Sequence, residues 1–358
     1  MMSITANQVT LLRLVLLPIP CFLLFGNPWE KFLALLFFVL IGLTDYLDGY
    51  LARKHGPTTL GALIDPMADK IFVTAMYIPL ARLEVVPIWM VLLLFIREYT
   101  VTELRSIHGS GGQRFSTSEL AKYKTTIQMM GGGVLILFDI FRSSQLVFIP
   151  LGILFSFAVS VAIWTYRKQG RLGLRSFTFV TLAASVCMMR LLLPYETTTL
   201  IVMVIVVVMT LASGLQYLLE TWRQMGGYLR ERFGTKEWAS FVGISLAFPV
   251  IYVSTLYSRE VAVWMVIGIL SLEFATGGLT NFLTTLRKSS SYMPQTIKIL
   301  FVNGAGLVGL MLTLFSAPTP ARALNTLMLV VLAVSLVYCV RYFYIHRRSI
   351  MTGKTVST

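Results

Sequence analysis

Apolar runs of roughly 18 to 25 residues follow one another from end to end of the chain, each long enough to cross a bilayer as a helix. Hydrophobic residues make up 56% of the sequence and charged residues 13%, against roughly 25% charged in a soluble domain. The expected spans are 9–26, 30–53, 69–83, 85–107, 123–140, 145–166, 174–194, 197–221, 238–257, 260–284, 297–316 and 322–345. The sequence therefore predicts an all-α polytopic membrane protein of about twelve transmembrane helices. The third span is short for a crossing, and Pro79, Arg82, Glu84 and Pro87 blur its end.

The net charge of +14 has a topological explanation. With a cytoplasmic N-terminus and twelve crossings, 22 Lys and Arg fall on the inner face and six on the outer, namely Lys31, Arg82, Arg142, Arg190, Arg259 and Arg322. That bias puts both termini inside, and losing one span would invert every later loop. The same charge suits an anionic lipid surface or a phosphorylated substrate, and no nucleic-acid partner is needed to account for it. The N-terminus lacks the basic region of a cleaved signal peptide, so the first span is expected to stay. Cys21, Cys187 and Cys339 lie far apart in apolar runs, which fits buried thiols better than a disulfide frame or a zinc site. Residues 224–237 are polar and rich in glycine and read as a linker. They divide an N-terminal unit, 1–223, from a four-helix C-terminal membrane unit, 238–348, with a tail at 349–358.

Residues 45–69 break the apolar pattern. They hold Asp45, Asp48, Asp65 and Asp69, four of the 16 acidic residues in the chain. Asp45 and Asp48 are one turn apart at the end of the second span, and Asp65 and Asp69 one turn apart where the third begins. The connection between them is short, so the two helices are antiparallel neighbours and the carboxylates converge. Four carboxylates held together repel one another and raise each other's pKa. Hard divalent cations relieve that repulsion, and one or two Mg²⁺ or Mn²⁺ ions suit an all-oxygen donor set. Such ions at a membrane surface imply phosphate or pyrophosphate chemistry, with a carboxylate available as general base. The bland alternative is an ion-pair network with Arg53, Lys54 and Lys70. Gly49, Ala52 and Gly61 allow close approach of a substrate or of a packed helix. Arg53 is suited to grip phosphate oxygens.

The order Asp45-x-x-Asp48-Gly49-x-x-Ala52-Arg53, followed by Gly61-x-x-x-Asp65-x-x-x-Asp69, resembles the signature of the CDP-alcohol phosphotransferase family. Asn7-x-x-Thr10-x-x-Arg13, Arg97-Glu98 with Arg105, and Lys122-Tyr-Lys124-Thr125 before Gln128 resemble its phosphatidylglycerophosphate synthase branch. Leu211 to Leu218 resembles the end of that branch's last span, which makes 145–166 and 174–194 extra helices. The resemblance implies an N-terminal CDP-alcohol phosphotransferase-like bundle in a bacterial inner membrane, active at the cytoplasmic face. It implies displacement of CMP from CDP-diacylglycerol by an alcohol, with metal on Asp45, Asp48, Asp65 and Asp69. Asp69 would be the base beside Asp65, and Asp48, Gly49, Ala52, Arg53 and Gly61 would frame the CDP moiety.

Arg97, Arg105, Lys122 and Lys124 form a second basic set, suited to a phosphate on the acceptor. Arg97 lies inside a span, where an unpaired cation is costly, so an internal pair with Glu98 or an aspartate is the other reading. A phosphorylated acceptor fits the charge. The branch resemblance selects sn-glycerol 3-phosphate over inositol phosphate, and a sibling enzyme using another alcohol is the runner-up. A twelve-span transporter would place its charges near the bilayer midplane on repeated halves, and here the halves look unrelated. Asn7, Thr10 and Arg13 either line a polar pocket or belong to an entry helix whose Arg13 snorkels to the headgroups. Glu273 stands out in the C-terminal unit, as a second site or as a hydrogen-bonding group within the bundle. Homodimer contacts or lipid handling are the roles open to that unit.

Overall fold

The computed structural model describes residues 6–55, 58–110, 119–142, 147–169, 174–232, 234–287, 296–315 and 321–352. Among them the chain is helical throughout, with no strand. The first expected span is two helices, α1 (Ala6–Leu16) and α2 (Pro18–Leu23), because Pro18 and Pro20 cannot donate into a continuous ladder. Next come α3 (Pro28–His55) and α4 (Thr59–Arg82). Asn27 opens α3, its Oδ1 accepting from the N–H groups of Trp29 and Glu30 while Glu30 reaches back to the N–H of Asn27. Then follow α5 (Ile88–Ser110), α6 (Glu119–Ile140), α7 (Phe148–Gln169), α8 (Leu174–Leu192) and α9 (Tyr195–Arg232). The C-terminal segment holds α10 (Thr235–Val242), a π-helical turn at Gly243–Ala247, α11 (Phe248–Ser254), α12 (Val263–Arg287), α13 (Thr296–Phe315) and α14 (Ala321–Thr352).

Two boundaries differ from expectation. The third span is not short, because α4 starts ten residues early, where the Thr58 hydroxyl caps the helix by accepting from the Gly61 N–H at 3.0 Å. It then runs through Pro66 and Pro79 to Arg82, and the turn beyond it holds Glu84, the one described non-glycine residue at positive φ, 58°. The expected linker is largely helical: α9 continues through Arg232, and α10 begins at Thr235.

Among the described residues five segments are long and apolar enough to cross a membrane by length and composition: Phe148–Arg167, Tyr195–Gln224, Thr235–Tyr257, Val263–Leu286 and Ala321–Met351. The chain is thus an integral membrane protein. Helices α3 to α6 run 28, 24, 23 and 22 residues, but they concentrate the charged side chains. That load belongs to the site they enclose.

The core forms where α5 lies between α9 and α12, with α4 and α6 beside them. Helix α6 packs on α9, α12 also covers α4, and α1 fits against α3 and α4. Helices α7 and α8 pair chiefly with each other, and α9 returns to pack on α5 and α6. Tyr77, Phe95, Leu135, Met203 and Val266 are fully buried at these contacts. In lipid such helices associate by close packing rather than by exclusion of water. On the face opposite Asp69, Arg82 donates to the carbonyls of Ser258 and Arg259, and Arg259 pairs with Glu84 at 2.5 Å. The loop before α12 is thereby tied to the α4–α5 turn.

Gly131 sets the α6–α9 spacing, since a Cβ there would lie 2.4 Å from Val206 Cγ2 on α9. A β-branched neighbour cannot swing aside cheaply. Gly131→Val is expected to destabilise the protein by about 1–3 kcal/mol, the usual range for overpacking. Thermal unfolding in detergent would show it as a lowered Tm, and an unchanged Tm would mean that the two helices separate freely.

Candidate active site

Helix α1 supplies the first staple. Its residues Asn7, Thr10 and Arg13, at spacing three, all engage the start of α4. The Thr58 hydroxyl donates to Asn7 Oδ1 (2.7 Å), Thr10 Oγ1 donates to Asp65 Oδ1 (3.1 Å), and an Arg13 Nη donates to Asp69 Oδ1 (3.4 Å). Arg13 is 2% exposed, so it does not snorkel. It is a buried counter-charge for Asp69, and burial without such a partner would be costly. Gly61 sits inside this staple: a Cβ there would lie 2.9 Å from Thr58 Oγ1 and 3.1 Å from Asn7 Oδ1. Its missing side chain serves this close approach.

Asp65 and Asp69 stand four residues apart on α4, and both line a cavity of about 250 Å³. Asp45, Asp48, Gly49, Ala52 and Arg53 lie along α3, their side chains outside the described residues. Across the cavity from the aspartates stand Arg97 and Arg105 of α5 and Lys124 of α6. Three members of the expected basic set therefore share one space with two of the four aspartates. Lys122 is also on α6, with its side chain outside the described residues.

The basic wall is organised by Glu98, which is 3% exposed. Its Oε1 accepts from Arg97 (3.1 Å), Lys124 (2.5 Å) and Gln128 (3.1 Å). The internal Arg97–Glu98 pair is thus realised. Helix α9 closes the wall. Arg97 donates to Ser213 Oγ (2.8 Å), Gln128 donates to Thr210 Oγ1 (3.1 Å), and Arg105 donates to the Tyr217 hydroxyl (2.9 Å). The guanidinium groups of Arg97 and Arg105 also lie 5.9 and 5.4 Å from the centre of the Tyr217 ring. Lys70 completes the lining and donates to Thr102 Oγ1 at 2.6 Å.

Lys70, Glu98, Gln128, Ser213 and Tyr217 were not among the expected site residues. Two of them adjoin expected ones in sequence, Lys70 next to Asp69 and Glu98 next to Arg97. Ser213 and Tyr217 are four apart, which places them on one face of α9. Lys70 is directed to Thr102 rather than to the aspartates, which removes it from the ion-pair alternative.

Among the described residues no three His, Cys, Asp or Glu side chains are grouped to hold an ion; Asp45 and Asp48 lie outside that set. The donor chemistry still fits a hard divalent cation: Asp65 and Asp69 offer carboxylate oxygens one turn apart on α4, at the rim of the cavity. A cavity of about 510 Å³ lined by Arg82, Arg142, Tyr195 and Arg259 lies at the far end of α4, about 20 Å along the helix from Asp69. It has no part in this constellation.

Fold and site define a polytopic helical membrane protein with an open polar cavity that sets carboxylates against cations, an arrangement suited to an anionic substrate with a bound cation. Residues 3–164 match the family model for CDP-alcohol phosphatidyltransferase. Similar proteins include three named CDP-diacylglycerol–glycerol-3-phosphate 3-phosphatidyltransferase. The one from Cereibacter sphaeroides is 36% identical over 137 residues, which is 37% of this chain and 62% of that protein. The Bacillus subtilis protein is 31% identical over 37% of this chain and 77% of its own length. The Rickettsia typhi protein is 36% identical over 37% and 75%. No solved structure matches. The chain belongs to the CDP-alcohol phosphatidyltransferase family.

Replacing Glu98 by Gln leaves Arg97 and Lys124 buried without their shared carboxylate. A cost of about 3–5 kcal/mol is expected, in line with other broken buried pairs. Chemical denaturation of the purified variant in detergent measures it, and a loss below about 1 kcal/mol would show that the network carries little of the fold.

Proposed function

We propose that the protein transfers a phosphatidyl group from CDP-diacylglycerol to sn-glycerol 3-phosphate, releasing CMP, at the cytoplasmic face of the membrane. The observation that carries this reading is the single cavity with Asp65 and Asp69 on one wall and Arg97, Arg105 and Lys124 on the other. One wall suits a metal-bound pyrophosphate and the other a phosphorylated alcohol. The names of the relatives point to the same acceptor. The topology proposed with it has twelve spans and both termini inside. Helices α7 and α8 are an insertion, and the segment after residue 237 is an accessory unit of the same membrane body.

In this reading Asp48, Gly49, Ala52, Arg53 and Gly61 frame the CDP moiety, and Arg97, Arg105, Lys122 and Lys124 hold the acceptor phosphate. Glu98 takes up part of the charge of Arg97 and Lys124 and orients both. That leaves Arg105, anchored on Tyr217, as the most direct phosphate ligand. The acceptor hydroxyl oxygen attacks the phosphorus that bears diacylglycerol. A new P–O bond forms, the P–O bond to CMP breaks, and CMP leaves with the electron pair. Asp69 takes the hydroxyl proton, and Arg13 holds its carboxylate in place. One or two Mg²⁺ or Mn²⁺ ions on Asp45, Asp48, Asp65 and Asp69 would neutralise pyrophosphate charge and improve CMP as a leaving group.

Purified protein supplied with CDP-diacylglycerol, Mg²⁺ or Mn²⁺ and one acceptor at a time tests the assignment. CMP release is expected with glycerol 3-phosphate. Release only with inositol phosphate or serine would overturn the choice of acceptor. Asp69→Asn is expected to lower kcat by about 10²-fold or more, the range lost with a general base. Full activity in that variant would remove Asp69 from its role.

A further inference from the structure

The matched family region ends at residue 164, yet a helix far beyond it reaches the back of the cavity. Helix α12 packs along both α4 and α5, the helices that carry Asp65, Asp69, Lys70, Arg97 and Arg105. Three contacts fix its register there. Phe274 stacks on Tyr99 of α5, with ring centres 4.1 Å apart and planes 3° from parallel. The Tyr99 hydroxyl donates to the Leu270 carbonyl of α12 at 2.8 Å. Gly277 and Gly278 let α12 approach closely: Cβ atoms there would lie 3.3 Å from Thr102 Cγ2 and 2.5 Å from Met67 Cγ.

These contacts converge on Lys70. Its ammonium lies 5.6 Å from the centre of the Phe274 ring and donates to Thr102 Oγ1, which donates in turn to the Glu98 carbonyl at 2.7 Å. One cation of the cavity is therefore held from behind by an aromatic face and by a threonine, and α12 contacts both. An aromatic ring within about 6 Å attracts the positive charge of an ammonium without adding a counter-charge that would compete with an anion. A carboxylate in the same place would cancel that charge.

We propose that Lys70 is a further phosphate-binding cation of the cavity and that Phe274, from the C-terminal segment, is its positioning residue. The inference rests on the acceptor reading above. It gives the C-terminal segment a part in the reaction: α12 is a supporting wall of the active site rather than a separate appendage.

The test is steady-state kinetics on full-length Phe274→Leu and Phe274→Tyr, with folding followed by size exclusion and thermal unfolding. Phe274→Leu fills similar space without a ring. It is expected to raise KM for glycerol 3-phosphate by about 3- to 30-fold, the span of cation–π strengths. Its kcat and its KM for CDP-diacylglycerol are expected to stay within about twofold. Phe274→Tyr keeps the aromatic face and is expected to restore KM. In a Lys70→Met background Phe274→Leu is expected to add nothing. An unchanged KM in Phe274→Leu, or a Tyr variant as impaired as the Leu variant, would overturn the proposal. So would an undiminished effect of Phe274→Leu in the Lys70→Met background. If Phe274→Leu does not fold, Phe274→Met takes its place with the same expectations. A wild-type protein inert with glycerol 3-phosphate would remove the acceptor reading instead, and that outcome is visible before any variant is made.

Discussion

A carboxylate or guanidinium inside a membrane protein is tolerable only where partners surround it, and that constraint governs how this bundle closes. Glu98 gathers Arg97, Lys124 and Gln128, and through Ser213 and Thr210 this cluster is bound to α9. Helices α5, α6 and α9 are thus joined at one polar node, in a setting where apolar contacts gain little over lipid. On the other wall Arg13 and Thr10 do for α1 and α4 what Glu98 does for the basic side. The charges that make the chain costly to bury are also those that enclose its cavity.

Much of this was legible in the sequence, for identifiable reasons. The helical class and the order of the helices follow from long apolar runs, which carry their own signal. The pairing of Asp65 with Asp69 follows from helical periodicity, and the stripe Asn7, Thr10, Arg13 was visible as a polar side. Its destination was not, since a lone arginine near a helix end either snorkels or pairs. Only the position of α4 decides that Arg13 pairs with Asp69. The early start of α4 was hidden because hydropathy registers the apolar run, whereas the helix begins at a threonine cap in polar sequence.

The part played by the later helices was the least legible. Helix α12 is largely apolar with Glu273 and several threonines spread along it, so its pattern does not say which neighbour it meets. The contacts of Phe274 and Gly277 with α4 and α5 depend on tertiary packing alone. Likewise Ser213 and Tyr217 are ordinary residues of a long helix until α9 passes the α7–α8 hairpin and returns to the cavity. Glu98 was read beside Arg97 as one partner of a pair, whereas in the bundle it serves three donors from two helices.

The proposed function rests on the four aspartates acting together as one oxygen-rich cation site beside a basic wall. The most direct measurement is anomalous diffraction from crystals soaked in Mn²⁺. A peak is expected between Asp45, Asp48, Asp65 and Asp69, within about 2.0–2.4 Å of their carboxylate oxygens, as for hard divalent cations. Crystals that take up Mn²⁺ elsewhere and show no density there, at concentrations that support CMP release, would contradict it.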